Sequence, residues 1–159
     1  MSALDETLKA ADANIAEHGW YGVKFPETED APGWEHSIGF TERLGKPEIV
    51  VFGLDYDVSH GLIWAVFRAF AKGAAYHDRS VASGIIQGYD CQFRDVLPAY
   101  FEDYLFTARA RHERRGSVYP FRALQLIWPD ERGIFPWESD CDPGIAALQP
   151  LLFQDRPGK

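Results

Sequence analysis

No apolar run in this chain is longer than a few residues, so no segment supplies the roughly 20 consecutive apolar residues of a membrane-spanning helix. Cysteine is scarce as well. Cys91 and Cys141 are too few for a disulfide framework and are expected as thiols in a reducing compartment. Positive charge is also in short supply: 16 Lys and Arg stand against 24 Asp and Glu, a net charge of -8. That balance argues against nucleic-acid binding, which needs clustered cations to meet phosphates. The one basic cluster, Arg109 to Gly116 (RARHERRG), sits where a helix should end, and cations there complement the negative end of the helix dipole. The N-terminal stretch has neither the basic start nor the apolar block of a signal peptide, so a cytoplasmic location is expected.

The chain is rich in core-forming residues. Of its 159 residues 46% are hydrophobic and 14% aromatic, which suits one ordered domain without covalent staples. Leu4, Leu8, Ala11 and Ile15 form a helical stripe that Gly19 should end. WYGVKF (Trp20 to Phe25) reads as a strand, and WEHSIGF (Trp34 to Phe40) alternates with a period of two. TERLGKP then reads as a turn, and EIVVFGL (Glu48 to Leu54) as a central strand buried on both faces. Leu62, Ile63, Val66, Phe67 and Phe70 mark a second helix, with Asp57 or Ser59 as N-cap and Gly73 as stop. A glycine-punctuated stretch leads to the strand GYDCQFRDV, then to a helix from Pro98 to about Arg115, and finally to the strand FRALQLIW. The expectation is an α+β fold: one compact domain over 1–159, with its core at 3–138 and a C-terminal tail, 139–159, that is irregular or briefly helical. Its sheet should be mainly antiparallel, with about five strands packed by about three helices.

ALQLIWPDERGIFPWE (Ala123 to Glu138) sets two tryptophans beside prolines around an acidic turn. Trp128-Pro129-Asp130 invites comparison with the mobile acid-bearing loop of tyrosine phosphatases. That chemistry also needs an arginine six positions after the nucleophilic cysteine, and those positions hold Leu97 and Ala147. The structural reading fits better. Pro129 ends a strand, Asp130 starts a turn, Gly133 tolerates positive φ, and IFPW returns across the core in a hairpin-like cover. Only the charged turn from Asp130 to Arg132 is then expected to face outward.

HGWYGVKF, HSIGFTERLGKPEIVVFGL and ALQLIWPDERGIFPWE resemble, in order and spacing, the bacterial proteins grouped as domain of unknown function 4262, over roughly Ile15 to Glu138. His36 stands where that family's pattern has an aromatic residue, which argues against a family-wide catalytic role for it. The resemblance carries no activity with it.

Other chemistry signatures are missing. The five histidines show no paired-ligand spacing, and there is no CxxC, G-x-S-x-G, G-x-G-x-x-G or Walker loop. A metal set could be assembled only from distant residues, for instance His60 with Asp55, Asp57 and His77, and no metal or cofactor is evident. What remains as catalytic candidates is His36 and Glu48, on neighbouring strands, together with Asp130. Trp34, His36, Trp128 and Trp137 are the candidate ligand-binding residues. The leading expectation is a noncatalytic binding or interaction module with an acidic, aromatic-rich surface. It would take a protein partner or a small ligand, and a homodimer is compatible with it. The alternative is a small-molecule enzyme, or a flavin- or nucleotide-binding protein, with a pocket near His36, Glu48 and Trp128. The flavin reading rests on a fold-level analogy between the PEIVVFGL strands and split-barrel flavin reductases.

Overall fold

The computed structural model describes residues 2–156 and shows an α+β architecture built on one mixed sheet. Helix α1 (Ala3–His18) begins at a capping box, in which Ser2 accepts from the Asp5 N–H and Asp5 answers the Ser2 N–H. It ends at Gly19, whose φ of 99° only glycine adopts at little cost. Its Leu8, Ala11 and Ile15 are buried, as the stripe requires.

Strands β1 (Tyr21–Phe25), β2 (Trp34–Ile38), β3 (Glu48–Phe52), β4 (Val81–Ile86), β5 (Tyr89–Asp95) and β6 (Ala123–Ile127) lie in the order β1-β2-β3-β6-β5-β4. The β3–β6 pair is parallel and the other four pairs are antiparallel. Among the described residues there are thus six strands rather than about five. The additional strand, β4, is hidden in the sequence because its register with β5 shifts between Ala82 and Ile86, and Gly84 takes a φ of 83°. A bulge of this kind destroys the alternation by which a strand is read.

The helices also outnumber the expected three: six α-helices are found among the described residues. TERLGKP is not a simple turn but contains helix α2 (Phe40–Leu44). Helix α3 (Tyr56–Ala71) starts at Asp55 rather than at Asp57 or Ser59. The helix expected from Pro98 to Arg115 is three pieces: a 3₁₀ turn (Pro98–Tyr100), α4 (Phe101–Tyr104) and α5 (Phe106–Arg115). The break falls at Leu105, fully buried with a φ of -134°. The demand of the core for that side chain overrides helical continuity. A short α6 (Pro143–Ala147) follows in the tail.

Helix α3 covers one face of the sheet, packing Leu62, Ile63, Val66 and Phe70 on Ile49, Val51, Phe93 and Leu126. The other face meets α1, α4 and α5 through Val50, Phe52, Leu105 and Ala108. β3 is therefore buried on both sides, which its unbroken apolar run requires. Two glutamines stitch the tail to the end of β6. Gln125 donates to the Pro150 carbonyl at 2.7 Å and accepts from the Leu152 N–H at 2.9 Å. Gln149 accepts from the Trp128 N–H at 3.1 Å and donates to its carbonyl at 2.9 Å. Leu152 is fully buried as a result, so the core extends past Glu138.

Candidate functional site

At the C-terminal end of β3 the chain turns at Gly53, with φ 79°. A Cβ there would lie 2.8 Å from Leu148 Cβ, so the tail is pressed directly against the turn. Leu54 follows, then the first turns of α3. From that helix Val58 and Leu62, one turn apart, point to a shallow cleft. Ile86 and Tyr89, from the tight β4–β5 connection, form the opposite wall, while Trp128, Pro129 and Ile145 close the end. The cleft measures about 230 Å³ and its walls are almost wholly apolar. Its rim exposes apolar residues that a folded chain normally buries: Val58 is 49% and Tyr89 is 39% exposed. The carboxylate side chains of Asp57, Asp90 and Glu131, all exposed, stand beside it in the chain.

Trp128 is a fixed wall. Its indole N–H donates to the Phe52 carbonyl at 2.8 Å, which supplies the partner that a half-buried indole needs. Asp130 also serves structure. Its carboxylate accepts from the backbone N–H groups of Asp142 (2.9 Å), Ile134 (3.0 Å) and Arg132 (2.9 Å). These donors, that of Asp142 foremost, hold its pKa below the usual carboxylate value. A carboxylate so saturated has no proton to deliver. The IFPW segment returns as turns and not as a strand. Phe135 and Trp137 stack with centroids 5.0 Å apart, and Trp137 meets Phe153 edge-on at 5.8 Å. Trp137 thus packs against the tail rather than lining the cleft.

The remaining candidates lie elsewhere. Trp34 donates its indole N–H to the Tyr104 carbonyl at 3.1 Å and stacks on Phe25 at 4.4 Å. His36 is fully buried. Its Nδ1–H donates to the Ser37 carbonyl at 3.1 Å, its Nε2 has no partner, and burial lowers its pKa to about 4. Glu48 meets Ser37 and not His36. It accepts from Ser37 Oγ at 2.7 Å and from the N–H groups of Phe40 and Thr41 at 3.2 and 3.1 Å. Burial raises its pKa against the pull of those donors. Glu48 borders a separate hollow of about 190 Å³ next to Arg111 and Tyr119, and His36 lines neither that hollow nor the apolar cleft. Trp128 and Asp130 are the two candidates that the fold brings to one site.

The distant metal set is not assembled: among the described residues no three His, Cys, Asp or Glu side chains are placed to hold an ion. His60 instead pairs with Glu35, Nδ1 to Oε2 at 2.7 Å. Val58, Ile86, Tyr89 and Ile145 line the cleft without forming a motif in the sequence. Val58 carries a faint signal, an apolar residue one turn ahead of the buried stripe that begins at Leu62. Tyr89 gave a misleading one, since its alternation with Cys91 and Phe93 places it in the core, whereas its position at the hairpin end leaves it half exposed.

A family model described as "Domain of unknown function (DUF4262)" matches residues 14–142 of the chain. No curated protein and no solved structure matches it. The matched span contains Glu35, His60, Trp128 and Asp130 and ends before Ile145.

Proposed function

The chain belongs to the family of domain of unknown function DUF4262, and from that premise we propose that it is a binding module whose apolar cleft takes one large apolar side chain of a basic protein segment. The observation that carries this reading is the cleft itself, about 230 Å³ with apolar walls and an exposed apolar rim. Sites for drug-sized molecules measure roughly 300–1,000 Å³, so this one falls short of a small-molecule pocket. It suits a single anchoring residue of the kind that dominates protein interfaces, where Trp and Tyr lead. The basic preference follows from charge: the exposed Glu131 lines the cleft of a chain whose net charge is -8.

Capped tripeptides test it. Lys-Trp-Lys should shift the methyl resonances of Val58, Leu62, Ile86 and Ile145 with a Kd on the order of 1 mM, the affinity of a lone anchor. Glu-Trp-Glu should bind more weakly, and Val58→Asp should abolish the shifts. Silence of those methyls toward Lys-Trp-Lys at several millimolar discards the reading. Equal shifts with both peptides would remove the basic preference.

A further inference from the structure

A second cavity, of about 480 Å³, lies at the end of the sheet where β5 finishes and β6 begins. It shares no lining residue with the apolar cleft and falls within the roughly 300–1,000 Å³ of small-molecule sites. The buried Val96, Ala123 and Leu124 border it, and Phe101 and Phe121 meet edge to face on its wall at 4.9 Å. Tyr76 joins them, fixed by stacking on Phe93 at 4.4 Å. That part of the cavity suits an apolar group.

Two opposite charges line the same space. Asp95 ends β5 opposite Leu124, and Arg122 lies two residues before Leu124, on the diagonal from Asp95. Side chains so placed are within reach of each other, yet these two form no ion pair. Among the described residues nothing else engages the Asp95 carboxylate or the Arg122 guanidinium. Their bonds are made by backbone: the Asp95 N–H donates to Asp78 Oδ1 at 2.9 Å, and the Arg122 carbonyl accepts from the Glu48 N–H at 3.0 Å. Asp78, by contrast, is committed, because the same Oδ1 also takes Arg94 Nε–H at 3.0 Å. These bonds fasten the turn after Tyr76 to β5. Within it Arg79 has a φ of 74°, the one left-handed value at a non-glycine residue among the described residues. Its N–H donates to the Phe93 carbonyl at 2.7 Å. A backbone held against its preference is imposed by its surroundings, and here it sets His77 and Asp78 on the cavity wall in advance of any ligand.

We propose that this cavity binds a free α-amino acid with a large apolar side chain, its ammonium at Asp95 and its carboxylate at Arg122. An α-amino acid carries one charge of each sign close together, which answers one uncommitted carboxylate and one uncommitted guanidinium in one cavity. The guanidinium fork matches a carboxylate through two parallel N–H···O bonds. The apolar wall takes the side chain. A phosphate ester is disfavoured, because Asp78 and Asp95 outnumber Arg122 among the lining charges. An amine without a carboxylate would leave Arg122 unanswered.

Titration of the full chain with L-phenylalanine and L-leucine tests this, with an expected Kd on the order of 0.1 mM. N-Acetyl-L-phenylalanine lacks the ammonium and L-phenylalaninamide lacks the carboxylate, so each should bind about tenfold more weakly than L-phenylalanine. Asp95→Asn should weaken L-phenylalanine by about tenfold and leave the acetyl compound as it was. Arg122→Met should do the same with the amide as the indifferent ligand. That crossed pattern assigns each charge to its end of the ligand, whereas a structural effect would weaken every ligand alike. Both residues are exposed and their side chains hold nothing in place, so the variants keep the fold. Neither amino acid binding at about 10 mM, or equal affinity for L-phenylalanine and its two derivatives, overturns the proposal. Val58→Asp, which spoils the apolar cleft, should leave amino-acid binding unchanged, so the peptide titration and this one fail separately.

Discussion

Replacing Glu48 with Ala is expected to destabilise the fold by about 4 kcal/mol, because it strands three buried donors at once, each worth about 1–3 kcal/mol. Glu48 opens β3, and its carboxylate reaches the start of α2. There the N–H groups of Phe40 and Thr41, like all first-turn amides, have no partner within their own helix. The N-cap residue is Gly39, which has no side chain to offer them. The third donor, Ser37 Oγ, also accepts from the Ile49 N–H, so the loss would spread into the β2–β3 pairing. Glu48→Gln keeps the volume and one acceptor but turns an NH₂ toward these donors, and should cost about half as much. Urea denaturation midpoints of the two variants provide the check. An Ala variant within about 1 kcal/mol of wild type would mean that water replaces the carboxylate there, and the capping account would fail.

The second large effect is acid sensitivity through His36. Its folded pKa is lowered from 6.5 to about 4, since charging a fully buried imidazole whose Nε2 has no acceptor is unfavourable. The unfolded chain takes up this proton first. His36 therefore contributes full stability above pH 6.5 and loses it as pH falls toward 4, and the shift is worth about 3 kcal/mol at about 1.4 kcal/mol per pH unit. Glu48 acts in the opposite sense, because its raised pKa favours the folded state once it is protonated. The difference between wild type and His36→Leu isolates the histidine. Across pH 7 to 4 the wild type should lose about 3 kcal/mol more than the variant in denaturant titrations. Parallel curves would show that His36 is not buried neutral.

The sequence offers His36 and Glu48 as a catalytic pair, whereas in the structure His36 bonds the Ser37 carbonyl and Glu48 accepts from Ser37 Oγ and from the N–H groups of Phe40 and Thr41. The reason lies in what packs on β2. Along WEHSI, Trp34, His36 and Ile38 alternate with Glu35 and Ser37, and local pattern assigns one apolar and one polar face. That much was correct. The pattern does not say whether the polar face meets water, and here α3 covers it. Glu35 and Ser37 are consequently as buried as the apolar set. The burial of Glu35 is not legible in the sequence, because a charged residue on an alternating strand is ordinarily solvated and its partners Ser59 and His60 lie on a different element. The Trp128–Asp130 segment was more legible. Pro129 and Asp130 announce a turn, and Asp130 organises one by accepting three backbone N–H groups. That Trp128 walls a cleft depends on Gln149 and Ile145, from a tail without readable periodicity.

By itself the sequence determined the class of fold, the family, most helix and strand positions and a net charge of -8. These depend on composition and on periods of 2 and 3.6 residues, quantities carried by neighbouring positions along the chain. Tertiary structure alone decided which faces are covered, where β4 bulges, where the long helix breaks at Leu105, and which distant side chains meet. Burial, desolvation and hydrogen bonding are set by distances across space. The Glu35–His60 contact, the cap that Glu48 gives α2 and the apolar cleft all arise between elements, so no local pattern encodes them.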